Sequence, residues 1–238
     1  MVTGRPRATV RAVDDVWVSW SGGKDAAAAL VAARAAGLRV TGLLSTQTAT
    51  GAGTPGIPVH GVPHALVAAQ ADALGLPLHT VTLPVPCSNE EYLAHVRAGL
   101  AGADGVSRLV GGDIALADVR AFREAVLEGT GIAGYFPLWG RDTAELAAET
   151  IDAGLRAVVV AVDPARVPAG LVGRPFDAAF LAELPAAVDP CGENGEFHTF
   201  VTGGPGFARE VPLTITGTVE RDGHVQAVPA PRSPDTPG

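Results

Sequence analysis

Three joints of one kind constrain the fold of this chain most. Ala35-Ala36-Gly37-Leu38, Ala73-Leu74-Gly75-Leu76 and Asp152-Ala153-Gly154-Leu155 each end a helical run on a glycine and open an apolar run. Glycine just past a last helical turn takes the left-handed conformation that closes a helix. Repeated at the spacing of whole elements, such joints predict βα units and a mostly parallel sheet. The helices otherwise differ, so the chain is not a sequence repeat.

Around these joints the pattern predicts a loose arm over 1–12, a strand over 14–20 and a helix from Asp25 to Ala36. A strand from Leu38 to Leu44 follows, then a long Thr/Gly/Pro-rich loop from Ser45 to Val59. Helices are expected at about 63–74, 89–101, 117–128, 143–153 and 177–184. Strands are expected at about 77–83, at Leu109-Val110 and from Arg156 to Val162. Arg221-Asp222-Gly223, between Val211–Glu220 and His224–Val228, reads as a hairpin turn. The expected class is α/β, a mostly parallel doubly wound sheet with a smaller C-terminal α+β lobe. The expected division is 1–163, 164–228 and a disordered tail over 229–238.

The stretch Val16 to Ala26 carries the first chemistry. An apolar run ends in Ser19-Trp20-Ser21-Gly22-Gly23-Lys24-Asp25 and passes into an alanine-rich helix. Glycines at a strand–helix turn let backbone N–H groups approach an anion, and the helix start adds its positive dipole end. With Lys24, this is a phosphate cradle. It is not a Walker A loop, because Asp25 stands where Ser or Thr is needed and Val18 where the first glycine is needed. The G-x-G-x-x-G dinucleotide spacing is absent too.

Composition narrows the partners. Asp and Glu number 25 against 17 Lys and Arg, and aromatics are 5%, so neither a broad nucleic-acid surface nor a base-stacking platform is expected. Cys87 and Cys191 form no C-x-x-C pair, and Cys191 reads as a small buried residue rather than a nucleophile. The start of the chain has no apolar leader and no run reaches membrane-spanning length, so a cytoplasmic protein is expected, a homo-oligomer being left open.

A second constellation lies at Asp189-Pro190-Cys191-Gly192-Glu193-Asn194-Gly195-Glu196-Phe197-His198-Thr199. Its acids are too dense for a core segment and its glycines too many for a helix. Such a loop suits an ammonium group, Mg²⁺ or general-base work, and equally a solvated acidic turn that begins a strand.

Ser21 to Asp25 resembles the PP-loop of the ATP pyrophosphatases. Taken with Val59-His60-Gly61, Gly112-Asp113-Ile114, Pro137-Leu138-Trp139 and Cys191 to Thr199, the chain resembles the diphthine–ammonia ligase family over about residues 14–218. That resemblance implies an ATP- and Mg²⁺-dependent ligase of PP-loop ATPase fold. It would adenylate a carboxylate, release pyrophosphate, then amidate the acyl-adenylate with ammonia and release AMP. It implies nucleotide binding by Ser19, Ser21, Gly22, Gly23, Lys24, Asp25, Ser45 and Asp113, with adenine against the backbone near Leu43 to Ser45. Asp25 would cap its helix or orient the metal. His60, Glu193, Asn194, Glu196, His198 and Thr199 would hold the acceptor or ammonium, and Lys24, Glu193, Glu196 and His198 would be catalytic. Ala26 stands where the superfamily usually has Ser or Thr, so one phosphate-binding hydroxyl is missing while its N–H remains. The acceptor is left open, diphthine or another carboxylate on a protein or small molecule. Two other readings stand beside the ligase: a tRNA-modifying PP-loop enzyme, and a nucleotide sensor without turnover.

Overall fold

The computed structural model describes residues 14–49, 55–56 and 61–232. In chain order the elements are β1 (Asp15–Ser19), α1 (Lys24–Ala35), β2 (Arg39–Ala49), β3 (Pro55–Gly56), α2 (His64–Leu74) and β4 (Leu78–Leu83). Next come α3 (Asn89–Leu100), β5 (Val106–Val110), α4 (Ala117–Leu127), β6 (Ala133–Tyr135), α5 (Thr143–Asp152) and β7 (Arg156–Val162). A short 3₁₀ turn (Ala169–Leu171), α6 (Ala178–Glu183), β8 (Phe197–Gly203), β9 (Leu213–Arg221) and β10 (His224–Pro231) complete it.

β4, β2, β1, β5 and β6 lie side by side in that order, all parallel, and the two-residue β3 pairs antiparallel with the end of β2. Gly37, Gly75 and Gly154 all have positive φ, as the joints require. The sheet is covered on both faces. Alternate side chains of a strand point to opposite faces. Val16 and Val18 accordingly enter one apolar cluster with Leu30 of α1 and Leu66 of α2. Trp17 enters a second with Val96 of α3 and Val126 of α4. The chain order reverses between β1 and β5, and in open α/β sheets ligands bind where it does so, at the strand C-termini.

The second sheet is antiparallel, in the order β8-β7-β10-β9. β7, grouped above with the parallel units, is an inner strand of this second sheet. Its run of β-branched residues fits either kind of sheet, so composition alone does not assign it. Two further differences concern ends. Ser45 to Ala49, expected as loop, continues β2, because Leu43 to Thr48 find backbone partners along the whole of β4. Pro229 to Pro231, expected in the tail, pair with β9 beyond a register shift that tolerates a residue without an N–H. The expected arm over 1–12, most of the 45–59 loop and residues 233–238 lie outside the described residues. No described helix is long and apolar enough to cross a membrane.

The two sheets share one apolar cluster, in which Val159 and Phe200 join the residues packed on β1. They are also tied by one buried amide. Gln70 of α2 is fully buried. Its Oε1 accepts from Trp20 Nε1 at 2.9 Å, and its Nε2 donates to the carbonyls of Gly22 at 3.0 Å and Val201 at 2.6 Å. Each buried polar group stripped of its partner costs about 1–3 kcal/mol. Gln70→Leu is therefore expected to destabilise the fold by about 2–4 kcal/mol. Urea denaturation measures this, and an unchanged midpoint would contradict the assignment.

Candidate functional site

The site forms where the β1–α1 turn, the β5–α4 turn and the loop before β8 meet. Ser21 Oγ accepts from the Gly23 N–H at 3.3 Å and shapes the first turn. Gly23 is the N-cap of α1 and supplies no side-chain cap. That service comes from across the molecule: Thr199 Oγ1 of β8 accepts from the Lys24 N–H at 3.1 Å. Gly112 lies against the start of α1 so closely that a Cβ there would fall 2.8 Å from the Asp25 backbone.

Lys24 is 3% exposed. Its Nζ donates to both Asp25 carboxylate oxygens at 2.8 Å and to the Cys191 carbonyl at 2.5 Å. The rings of Phe176 and Phe197 lie 5.6 and 5.5 Å away, within cation–π range. Burial pulls the ammonium's pKa down, but the charge and hydrogen bonds of Asp25, with Glu193 beyond, outweigh it and hold the pKa above its ordinary value. The Cys191 thiol is pushed up to about 12, chiefly by burial, with Lys24 only partly offsetting it. A thiol of that kind stays protonated at neutral pH and is no nucleophile.

The acidic loop is neither core nor solvated turn. Asp189 Oδ1 accepts from the N–H groups of Cys191 at 2.8 Å and Glu193 at 3.2 Å, and its Oδ2 accepts from Thr143 Oγ1. Glu196 is fully buried. Its carboxylate accepts from the N–H groups of Asp189 at 3.2 Å and Asn194 at 2.9 Å and from Asn194 Nδ2, and pairs with Arg166 at 3.0 Å. Burial works against its charged form, but these hydrogen bonds and Arg166 hold its pKa below the ordinary range. Two carboxylates thus fold the loop onto itself. The third reaches outward: Glu193 Oε1 accepts from the backbone N–H groups of Ile114, Ala115 and Leu116 at 3.2, 2.8 and 3.4 Å. It caps α4, whose own N-cap Leu116 has no polar side chain.

Together these segments enclose a cavity of about 700 Å³, lined by Ser19, Ser21, Gly23, Lys24, Asp25, Asp113, Glu193, Asn194, His198 and Thr199 among others. An adjoining apolar cavity of about 190 Å³ has walls from Trp20, Leu44, Thr46, Tyr92 and Phe122 and shares Ser19, Ser21, Val119 and Arg123 with the first.

Most of the expected residues therefore meet at one place. Four departures stand out. Glu196 is kept from the cavity by its own hydrogen bonds, so it positions the loop rather than touching a ligand. Gly22 turns its carbonyl to the Val201 N–H at 2.9 Å and does not line the cavity. Ser45 is buried without a hydrogen-bond partner and lines neither cavity. Strand alternation sends Leu44 and Thr46 to the apolar cavity and Ser45 to the opposite face. His60 lies outside the described residues. Sequence reasoning missed Arg123, whose Nε donates to Asp113 Oδ1 at 2.7 Å and whose Nη1 donates to Ser19 Oγ at 3.1 Å. Its signal was an arginine within the apolar stripe Val119, Phe122, Val126 of α4. Gln70, Asp189 and Arg166 were missed as positioning residues.

Glu196 gives a pH prediction. Its folded pKa lies below the ordinary value of 4.5, so the stability it contributes is complete above that value and is lost as pH falls through the folded one. Wild-type denaturation midpoints are expected to fall as pH drops below that ordinary value, and Glu196→Ala to be about 2–4 kcal/mol less stable at pH 7 with a shallower acid fall. Denaturant titration at each pH measures both. Parallel acid limbs would remove Glu196 from this role.

Comparison with known proteins agrees with this arrangement. Residues 15–133 match the model of the diphthamide synthase N-terminal domain, and residues 142–225 that of the diphthamide synthase C-terminal domain. A Danio rerio protein named diphthine–ammonia ligase is 30% identical over 224 residues, covering 84% of this chain and 86% of its own length. With the cradle after β1 and the Gly-Glu-Asn-Gly-Glu loop before β8 in matched segments, the chain belongs to the diphthamide synthase family.

Proposed function

We propose that the protein is an ATP-dependent ligase that adenylates a carboxylate and amidates it with ammonia. One observation carries this reading: the phosphate cradle of α1 and the acidic loop before β8 line the same cavity, with an apolar cavity opening beside it. The apolar cavity takes the adenine, against Leu44 and Thr46 of β2. Ser21, Gly23 and the first-turn amides of α1 take the phosphates. The relative's name makes diphthine the first acceptor to test, with other carboxylates beside it.

The residues present fit a divalent cation. Asp113 Oδ2 is buried in the cavity wall with no hydrogen-bond partner, a bare oxygen of the kind Mg²⁺ takes. Asp25 lines the same cavity and is the second candidate. Among the described residues no group of three or more His, Cys, Asp or Glu forms a cage. When bound, Mg²⁺ supplies charge neutralisation on the phosphates.

The chain's own part is positioning and charge. An acceptor carboxylate oxygen attacks the α-phosphorus and pyrophosphate leaves toward the α1 amides and Lys24. Ammonia then attacks the acyl carbon and AMP leaves. Ammonium must lose a proton before it attacks, and His198 and Glu193, which both line the cavity, are the candidates to accept it. Thr199 and Glu196 act through the geometry they impose on Lys24 and the loop.

Incubation with ATP, Mg²⁺, ammonium and a panel of carboxylates, a diphthine-bearing elongation factor included, tests the reaction. AMP and pyrophosphate are expected in equal amounts, and Lys24→Met is expected to lower turnover about 10²-fold or more. ADP and phosphate as products would refute the mechanism. ATP binding without turnover on every acceptor would favour the nucleotide sensor.

A further inference from the structure

We propose that Arg123 is the residue that holds the α-phosphate of the bound nucleotide. This rests on the ATP reading above and assigns a role that the PP-loop motif does not contain.

Position is the first ground. Among the described residues four line both cavities, and of Ser19, Ser21, Val119 and Arg123 the last is the charged one. A nucleotide with its base in the apolar cavity and its terminal phosphates at the α1 start passes this partition at its first phosphate.

Donor availability is the second. The Lys24 ammonium has three N–H donors, and its Nζ already serves both Asp25 oxygens and the Cys191 carbonyl. The Arg123 guanidinium has five, of which Nε serves Asp113 and Nη1 serves Ser19, with Nη2 outside both contacts. Its side chain is 37% exposed, open to a ligand.

Orientation is the third. Asp113 is nearly buried in the β5–α4 turn and Ser19 ends β1, so two partners on separate segments fix the guanidinium plane. A planar fork fixed in this way is pre-organised for phosphate oxygens. In the adenylation step the attacked phosphorus gains an oxygen ligand before pyrophosphate leaves. A donor fixed at that phosphate meets the charge where it develops.

Calorimetric titration of ATP, AMP and adenosine into wild type, Arg123→Gln and Arg123→Lys tests this without any acceptor. For Arg123→Gln, ATP and AMP affinity are both expected to fall about 10- to 100-fold, as for loss of a charge-assisted hydrogen bond, while adenosine affinity stays within about twofold. Arg123→Lys, which keeps the charge and loses the fork, is expected to recover part of the AMP affinity. Loss for ATP with AMP unchanged would move Arg123 to the outer phosphates and overturn the assignment. Equal loss for adenosine would make it a wall of the base cavity and do the same. A wild-type protein that binds none of the three would overturn the ATP reading itself, and the assignment with it.

Discussion

A buried ammonium group is the interaction on which the rest of the site depends. Lys24 opens α1 and is almost wholly out of water. A charge in that position is costly unless it is paired and hydrogen-bonded. Asp25 supplies one partner from the same turn. The other comes from the Cys191 carbonyl, 167 residues later in the chain. The two phenylalanine faces close the box from the β8 side and from before α6. The first turn of α1 is therefore complete only with the loop before β8 folded over it. That loop in turn keeps its shape because Asp189 and Glu196 bind four of its backbone N–H groups.

The same compensation of charge would let so acidic a cavity accept the nucleotide proposed for it. Asp25, Asp113 and Glu193 line it together with Lys24 and Arg123. Three carboxylates against two cations would repel triphosphate if all were bare. Glu193, however, rests in three backbone amides at the start of α4, and Asp25 is matched to Lys24. Asp113 is paired with Arg123 through Oδ1, and its Oδ2 is the carboxylate oxygen without a hydrogen-bond partner. A divalent ion, if held by that oxygen, would supply the positive charge that the proposed nucleotide needs there.

What was legible in the sequence was local. The strand–turn–helix at Val16 to Ala26, the glycine joints and the Cys191 to Thr199 loop each carry their signal within a dozen residues. Two of the three joints lead into parallel strands, β2 and β4, while the third leads into β7 of the antiparallel sheet. Contacts made across the fold left fainter traces. Nothing near Gln70 announces that its amide will meet Trp20, Gly22 and Val201. The three acids of the loop look alike in sequence, yet one caps a distant helix and two hold the loop itself. Ser45 shows the limit of placing a ligand by chain position, since one step along a strand reverses the face. β7 shows the limit of composition, because a run of valines does not record whether its neighbours are parallel.

Register carries these separate pieces to one point. β8 pairs with β7 so that Phe197 meets Val162 and Thr199 meets Val159. Thr199 thereby faces the Lys24 N–H, while Phe200 enters the shared core. A slip of one residue would exchange the two, leaving an uncapped helix start and a buried hydroxyl. The Val201 N–H bond to the Gly22 carbonyl fixes the same register from the other side. Between the two carboxylates that shape the loop, Asn194 and Gly195 line the cavity without taking part in this register. The cradle and the loop beside it are thus fixed by adjoining residues under different constraints, one by strand register and the other by a loop that holds its own backbone.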